Sequence, residues 1–139
     1  MGSICDHTSV GVILENKKGE ILLIERAKFP PGFAPPAGHI DDHCTPQGAA
    51  QAEVAEEVGL QVDREDLEER LHRNFPNQCR REDGTWHEWW VYEARRWGGR
   101  VRRKRDEAKR HMWVGPRKLR MLIAEHKLDP AWEEIFELI

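Results

Sequence analysis

Apolar positions gather in short runs separated by turn-forming residues along the first quarter of the chain. Thr8–Glu15 and Glu20–Glu25 are β-branched or aliphatic runs on either side of Asn16-Lys17-Lys18-Gly19. Together they predict a β-hairpin. Pro30, Pro31, Gly32, Pro35, Pro36 and Gly38 then interrupt the pattern, so residues 27–44 are expected to be mostly loop. A helix should follow, with Thr45 as N-cap, Pro46 in the first turn and Gly59 at the C-terminal cap. Strands are expected again at Leu71–Phe75 and Thr85–Ala94, around an Asp83-Gly84 turn signal. In the second of these Trp86, Trp90 and Tyr92 fall on one face and Trp89 and Val91 on the other. A strand apolar on both faces is expected at the centre of a sheet with helices on either side. Met112–Val114 reads as a further short strand, and Pro116–His126 and Pro130–Leu138 as amphipathic helices. The sequence shows no repeat or linker, and its 139 residues predict one domain over 1–139.

Composition narrows the function classes. Lys and Arg total 22 against 25 Asp and Glu, a formal charge of −3, which excludes a globally basic nucleic-acid binder. Hydrophobic residues at 39% against 34% charged leave enough apolar material for a core under a polar surface. No apolar run approaches the ~20 residues needed to span a bilayer. Met1–Val10 lacks the basic and apolar regions of a secretory signal. Cys5, Cys44 and Cys79 are scattered and show no C-x-x-C spacing. They are expected to be reduced thiols of a cytoplasmic protein, and no zinc site is expected.

The chemistry-bearing segment is Thr45–Gly59. At about 100° per residue, Glu53, Glu56 and Glu57 share an arc of roughly a third of the helix, with Val54, Ala55 and Val58 opposite. Like charges three and four residues apart repel, and these lie in the last turns, where the helix dipole is negative. A solvated acidic face is one account. A divalent cation held by hard oxygen ligands is the other.

The residues before the helix bear on that choice. From Gly38-His39-Ile40-Asp41-Asp42 through Ala52-Glu53-Val54-Ala55-Glu56-Glu57-Val58-Gly59-Leu60, the chain resembles the Nudix box, G-x5-E-x7-R-E-U-x-E-E-x-G-U, where U is a bulky aliphatic residue. Gly38, Glu53, Val54, Glu56, Glu57, Gly59 and Leu60 fall in register; Cys44 stands where the family has its first Glu, and Ala52 where it has Arg. The family often pairs those two, so their joint absence strands no single buried charge. The resemblance implies an α+β Nudix fold, an α/β/α sandwich with a mixed central β-sheet. It also implies divalent-metal-dependent hydrolysis of a phosphoanhydride linkage in a nucleoside diphosphate joined to another moiety. Mg²⁺ or Mn²⁺ would sit between the carboxylates and a polyanionic substrate. By resemblance, Glu53 and Glu57 are the leading metal ligands, Glu56 is next, and a backbone carbonyl at Ala37 or Gly38 assists. Glu107, with Glu56 as rival, is the candidate general base, which makes Glu53, Glu56, Glu57 and Glu107 the catalytic set. Arg26 resembles a family position that contacts substrate phosphate.

Other features admit two accounts. Trp86, Trp89 or Trp90 could stack on a nucleobase, with core packing accounting for at least two of them. The basic run Arg95–Arg105 could steer a polyphosphate or an RNA 5′ end, or could be a turn at Gly98-Gly99 between solvated strand ends. His39, His43 and Cys44 crowd one loop and could ligate a soft metal. A small-molecule nucleotide or other diphosphate is the expected partner, with no membrane and with a homodimer left open. The alternative function is a Nudix-fold nucleotide- or RNA-binding, regulatory domain that has lost its catalysis.

Overall fold

A computed structural model describes residues 4–43 and 45–139. Among the described residues seven strands and three α-helices run β1 Thr8–Leu14, β2 Ile21–Arg26, β3 Phe33–Ala34, β4 Ala37–Gly38, α1 Pro46–Val58, β5 Glu68–Phe75, β6 His87–Ala94, β7 Ala108–Val114, α2 Pro116–Ala124 and α3 Pro130–Leu138. Four strands form a mixed sheet in the order β4-β1-β6-β5, and three form an antiparallel sheet in the order β3-β2-β7. Strands β1 and β6 are parallel, with Val10 opposite Trp90 and Leu14 opposite Ala94.

The expected hairpin forms only at its turn. Asn16 donates its amide to the Glu20 carbonyl at 2.9 Å, and one bridge joins Glu15 to Ile21. Beyond that point the strands part into different sheets. Both edges of β1 are taken by β4 and β6, and both edges of β2 by β3 and β7, so neither has a free edge for the other. Hydrophobic pattern alone locates such strands without saying which neighbour each will choose.

Side-chain alternation places helices on both faces. Val10, Val12 and Leu14 of β1 and Leu22 and Ile24 of β2 pack with Ala50, Val54 and Val58 of α1. On the reverse face Ile13 of β1 and Trp89 and Val91 of β6 pack against Ala131, Trp132 and Ile135 of α3. Leu23 of β2 and Val114 of β7 meet Leu122 of α2. This is the expected α/β/α arrangement, with β6 lying between β1 and β5 as its two apolar faces imply. Strand β5 begins three residues earlier than its apolar run, because Glu68 and Glu69 lie on an exposed edge strand where burial does not select side chains. Trp86 falls outside β6 and is 45% exposed, so it does not share the face of Trp90 and Tyr92 as expected.

Helix α1 begins and ends where its sequence says. The Thr45 hydroxyl accepts from the Gly48 amide at 3.0 Å, and Gly59 takes φ +70° and donates back to the Ala55 carbonyl. Glycine is favoured there because a β-carbon in the left-handed region costs about 1–2 kcal/mol. The basic stretch is more than a turn between strand ends. Gly98 pairs with Gln61, and the chain then crosses the end of α1. The Arg102 and Lys104 amides donate to the Val58 and Glu57 carbonyls at 2.7 and 2.8 Å, satisfying acceptors that a helix C-terminus leaves open.

Gly11, at the middle of β1, faces the Trp132 indole so closely that a β-carbon would overlap the ring. Gly11→Ala should therefore lower stability by about 1–3 kcal/mol, as overpacking of a filled core does. Urea denaturation measures this, and an unchanged midpoint would mean that α3 shifts away at no cost.

Candidate active site

The C-terminal turns of α1 face a cleft of about 220 Å³. Strand β4 forms one wall because Gly38 pairs with Val10 and Ala37 with Gly11 of β1. This brings bare backbone against the helix. The Ala37 amide donates to Glu57 Oε1 at 2.7 Å. A β-carbon on Gly38 would overlap the Glu53 carboxylate, so glycine is needed for that approach. Glu53, Glu56, Glu57, Glu107, Arg26, Ala37 and Gly38 all line this one cleft, where sequence reading had drawn them from four separate segments.

Burial divides the three helix carboxylates. Glu57 is only 7% exposed, Glu53 is half-buried and Glu56 is exposed. Ala55, expected on the core face, is exposed, and Glu57 takes the core position beside Val54 and Val58. The helix therefore turns its acidic arc partly inward. Burial, then repulsion from Glu57, Glu56 and Glu107, pushes the Glu53 carboxyl up to about 9. Burial pushes Glu57 up to about 7, against the Ala37 amide and the positive charges of Arg26 and Lys104. These are hard oxygen donors, crowded and poorly hydrated beside backbone that has no side chain in the way. That donor set fits Mg²⁺ or Mn²⁺.

Arg26 sits at the end of β2, with its Nε donating to the Pro30 carbonyl at 2.7 Å and lying 3.8 Å from Asp129 Oδ2. Glu107 pairs with Lys28 at 3.3 Å. Asp129 also lines the cleft. It is buried, its carboxyl is raised by that burial, and it caps α3 by accepting from the Ala131 amide at 2.8 Å. Sequence reading missed Asp129; the signal available was an Asp immediately before Pro130 at a helix start.

Two expected substrate-binding residues lie elsewhere. Trp86 stacks on His7, with ring centroids 4.0 Å apart, and Trp90 stacks on His72 at 4.4 Å; neither lines the cleft. Trp89 and Trp132 do, with Trp89 Nε1 donating to Asn77 Oδ1 at 3.1 Å. Strand parity decides this, because the face of β6 toward α3 opens onto the cleft. The soft-metal grouping of His39, His43 and Cys44 also changes. Cys44 lies outside the described residues, and His39 joins Cys5, Cys79 and His87 instead.

The NUDIX domain family profile matches residues 6–138, nearly the whole chain. The chain belongs to the NUDIX domain family. Comparison with curated protein sequences returned no match. Among solved structures, this NUDIX chain is similar to the MutT protein from Methanosarcina mazei Go1, with 20% identity over 94% of this chain and 89% of that one and a TM-score of 0.73. It is similar to the E. coli ORF135 protein, with 19% identity over 99% and 89% and a TM-score of 0.70. It is also similar to a bifunctional NMN adenylyltransferase/ADP ribose pyrophosphatase from Francisella tularensis, complexed with AMP and Mn ion. There the identity is 20%, over 97% of this chain and 41% of that one, and the TM-score is 0.69. At these identities the likeness is one of fold.

The raised Glu53 carboxyl makes the metal-free NUDIX fold sensitive to pH. The folded state favours the protonated acid, so that contribution is full below about pH 4 and is lost as pH rises through about 9. Glu53→Gln should leave the melting temperature in chelator nearly unchanged at about pH 4 and raise it by about 5 °C or more at about pH 8. Thermal melts across that range test this; equal shifts at both ends would mean that the Glu53 charge is not sequestered.

Proposed function

We propose that this NUDIX chain, as one domain over 1–139, hydrolyses a phosphoanhydride linkage in a nucleoside diphosphate joined to another moiety, with Mg²⁺ or Mn²⁺ as cofactor. One observation carries the reading. Glu53 and Glu57 are withdrawn from water into a cleft that also presents Arg26, against a glycine that admits backbone to the same point. Folding alone gains nothing from such a pair, since buried carboxylates disfavour the native state. A cation offsets that cost and creates an attachment point for a polyanion.

Family membership supports the reaction class, and the AMP and Mn ion bound by the Francisella neighbour fit a nucleotide and a divalent cation. Glu53 and Glu57 would hold the ion, with Glu56 at the solvent side and a backbone carbonyl of Ala37 or Gly38 beside them. When bound, the ion neutralises phosphate charge and makes a coordinated water more acidic. The chain's own groups do the rest. Arg26, fixed through Nε by the Pro30 carbonyl, offers its guanidinium to a phosphate oxygen. Glu107 lines the same cleft and is the candidate to take the proton of the attacking water, with Lys28 holding its carboxylate in place. Arg80 and Lys104 add positive charge at the cleft and would draw a polyphosphate inward, while Arg81 is paired with Asp41.

Glu57→Gln tests the proposal with little structural cost, because the amide oxygen can still accept from Ala37. Millimolar Mg²⁺ or Mn²⁺ should raise the melting temperature of the wild type and not of the variant. Turnover on whichever compound a screen of nucleoside diphosphate derivatives identifies should fall at least about 100-fold. Retained turnover in the variant would place the chemistry elsewhere. A metal-induced shift with no hydrolysis of any compound would favour the binding-domain alternative.

A further inference from the structure

A second cluster of metal-binding side chains lies in the wall of the cleft, which His39, Cys79 and His87 line, and sequence spacing conceals it. One ligand atom from each of Cys5, His39, Cys79 and His87 lies within 4.8 Å of the others. Cys5 Sγ is 3.3 Å from His87 Nε2, 3.5 Å from His39 Nε2 and 3.8 Å from Cys79 Sγ. With Zn–S near 2.3 Å and Zn–N near 2.0–2.1 Å, tetrahedral coordination requires S···S edges of about 3.8 Å and S···N edges of about 3.5 Å. The three distances from Cys5 Sγ lie within about 0.2 Å of these edges. We propose that Cys5, His39, Cys79 and His87 form a structural Zn²⁺ site that fixes one wall of the substrate cleft.

The surroundings supply what such a site needs. His87 is fully buried and directs Nδ1 to the Asn77 carbonyl at 3.1 Å, which makes that nitrogen the N–H donor and leaves Nε2 with its lone pair toward the cluster. Each cysteine sulfur accepts an amide from two residues further on, Cys5 from His7 at 3.3 Å and Cys79 from Arg81 at 3.4 Å. Such N–H donors are the outer partners that orient a metal-bound sulfur. Gly84 lies so close to Cys79 that a β-carbon there would overlap the sulfur, and the Cys79 amide donates to the Gly84 carbonyl at 2.8 Å, closing the turn. Two thiolates, two neutral imidazoles and a dication sum to zero charge, which suits a partly buried position. Four protein ligands leave no open coordination position, the mark of a structural rather than catalytic zinc.

The four ligands come from segments that polar contacts already bring together, among them the Cys5 amide to the Glu82 carbonyl at 2.8 Å and the Arg81–Asp41 ion pair at 2.7 Å. Cys5 belongs to the segment before β1, His39 follows the cleft glycine Gly38, Cys79 lies in the β5–β6 loop and His87 opens β6. The β5–β6 loop carries Asn77, Gln78, Arg80 and Arg81 into the cleft lining. Zinc would thus hold that loop against β4, separately from the carboxylate site.

Protein purified without chelator should contain one Zn²⁺ per chain by mass spectrometry. Its X-ray absorption should fit two sulfur and two nitrogen neighbours. Cobalt substitution should give the intense d–d bands of a tetrahedral ion and a sulfur-to-cobalt charge-transfer band. That band should survive Glu57→Gln and Cys44→Ser and should weaken in Cys79→Ser and in Cys5→Ser. An all-oxygen coordination shell, a band lost in Cys44→Ser but kept in Cys79→Ser, or a Cys5–Cys79 disulfide in freshly prepared protein would each overturn the proposal. Because the readouts are metal content and spectrum, they stand apart from any failure to find hydrolytic activity.

Discussion

Two carboxylates drawn out of water at the end of a helix set the terms for much of this molecule. Glu53 and Glu57 lie where the α1 dipole is negative and where each repels the other, and burial removes the solvent that would otherwise screen them. Much of the surrounding structure limits that penalty. The Ala37 amide donates to the inner carboxylate, Arg26 and Lys104 oppose its charge from the cleft, and the chain after Gly98 lays two amides on the last turn. Strand β4 is only two residues long, yet its pairing with β1 fixes both the amide that meets Glu57 and the glycine that admits Glu53.

This arrangement also orients the α1 carboxylates although two positions of the box differ from the motif. Ala52 on α1 carries no charge that could orient its neighbours, as the family's Arg would. Orientation comes instead from backbone: one hydrogen bond from β4 to Glu57 and one close approach of Gly38 to Glu53. Backbone contacts do not depend on a particular side chain, so they survive the substitutions that erase a motif. What they cannot supply is positive charge, and here Arg26 and Lys104 provide it from outside the box.

Local signals in the sequence were legible where physics is local. Thr45, Pro46 and Gly59 mark α1 because capping acts within one turn, and β6 reads as central because both its faces are apolar. Partner choice was not legible. β1 and β2 look like a hairpin because their turn is a good one, but each finds better neighbours far along the chain. The inward rotation of Glu57 escaped notice for a related reason. At 100° per residue it lies about midway between Glu53 and Val54, and only the position of β4 decides which side becomes interior. For the tryptophans, the alternation along β6 was readable, whereas which face opens onto the cleft depends on where α3 packs.

The same distinction accounts for the Cys and His cluster. Spacing rules detect zinc sites whose ligands come in pairs a few residues apart, because one knuckle supplies two of them. Here four ligands come from four segments, so the site exists only once the sheet has formed. Its closeness to the carboxylates then raises the question of how two ions would keep to their own places. Hardness answers it: thiolate and imidazole select zinc-like ions, while crowded carboxylates and backbone oxygen select Mg²⁺ or Mn²⁺. His39 follows Gly38 directly, so an ion held by the first set would steady the backbone that shapes the second. Neighbouring sites of opposite softness can therefore share one wall without competing for the same cation.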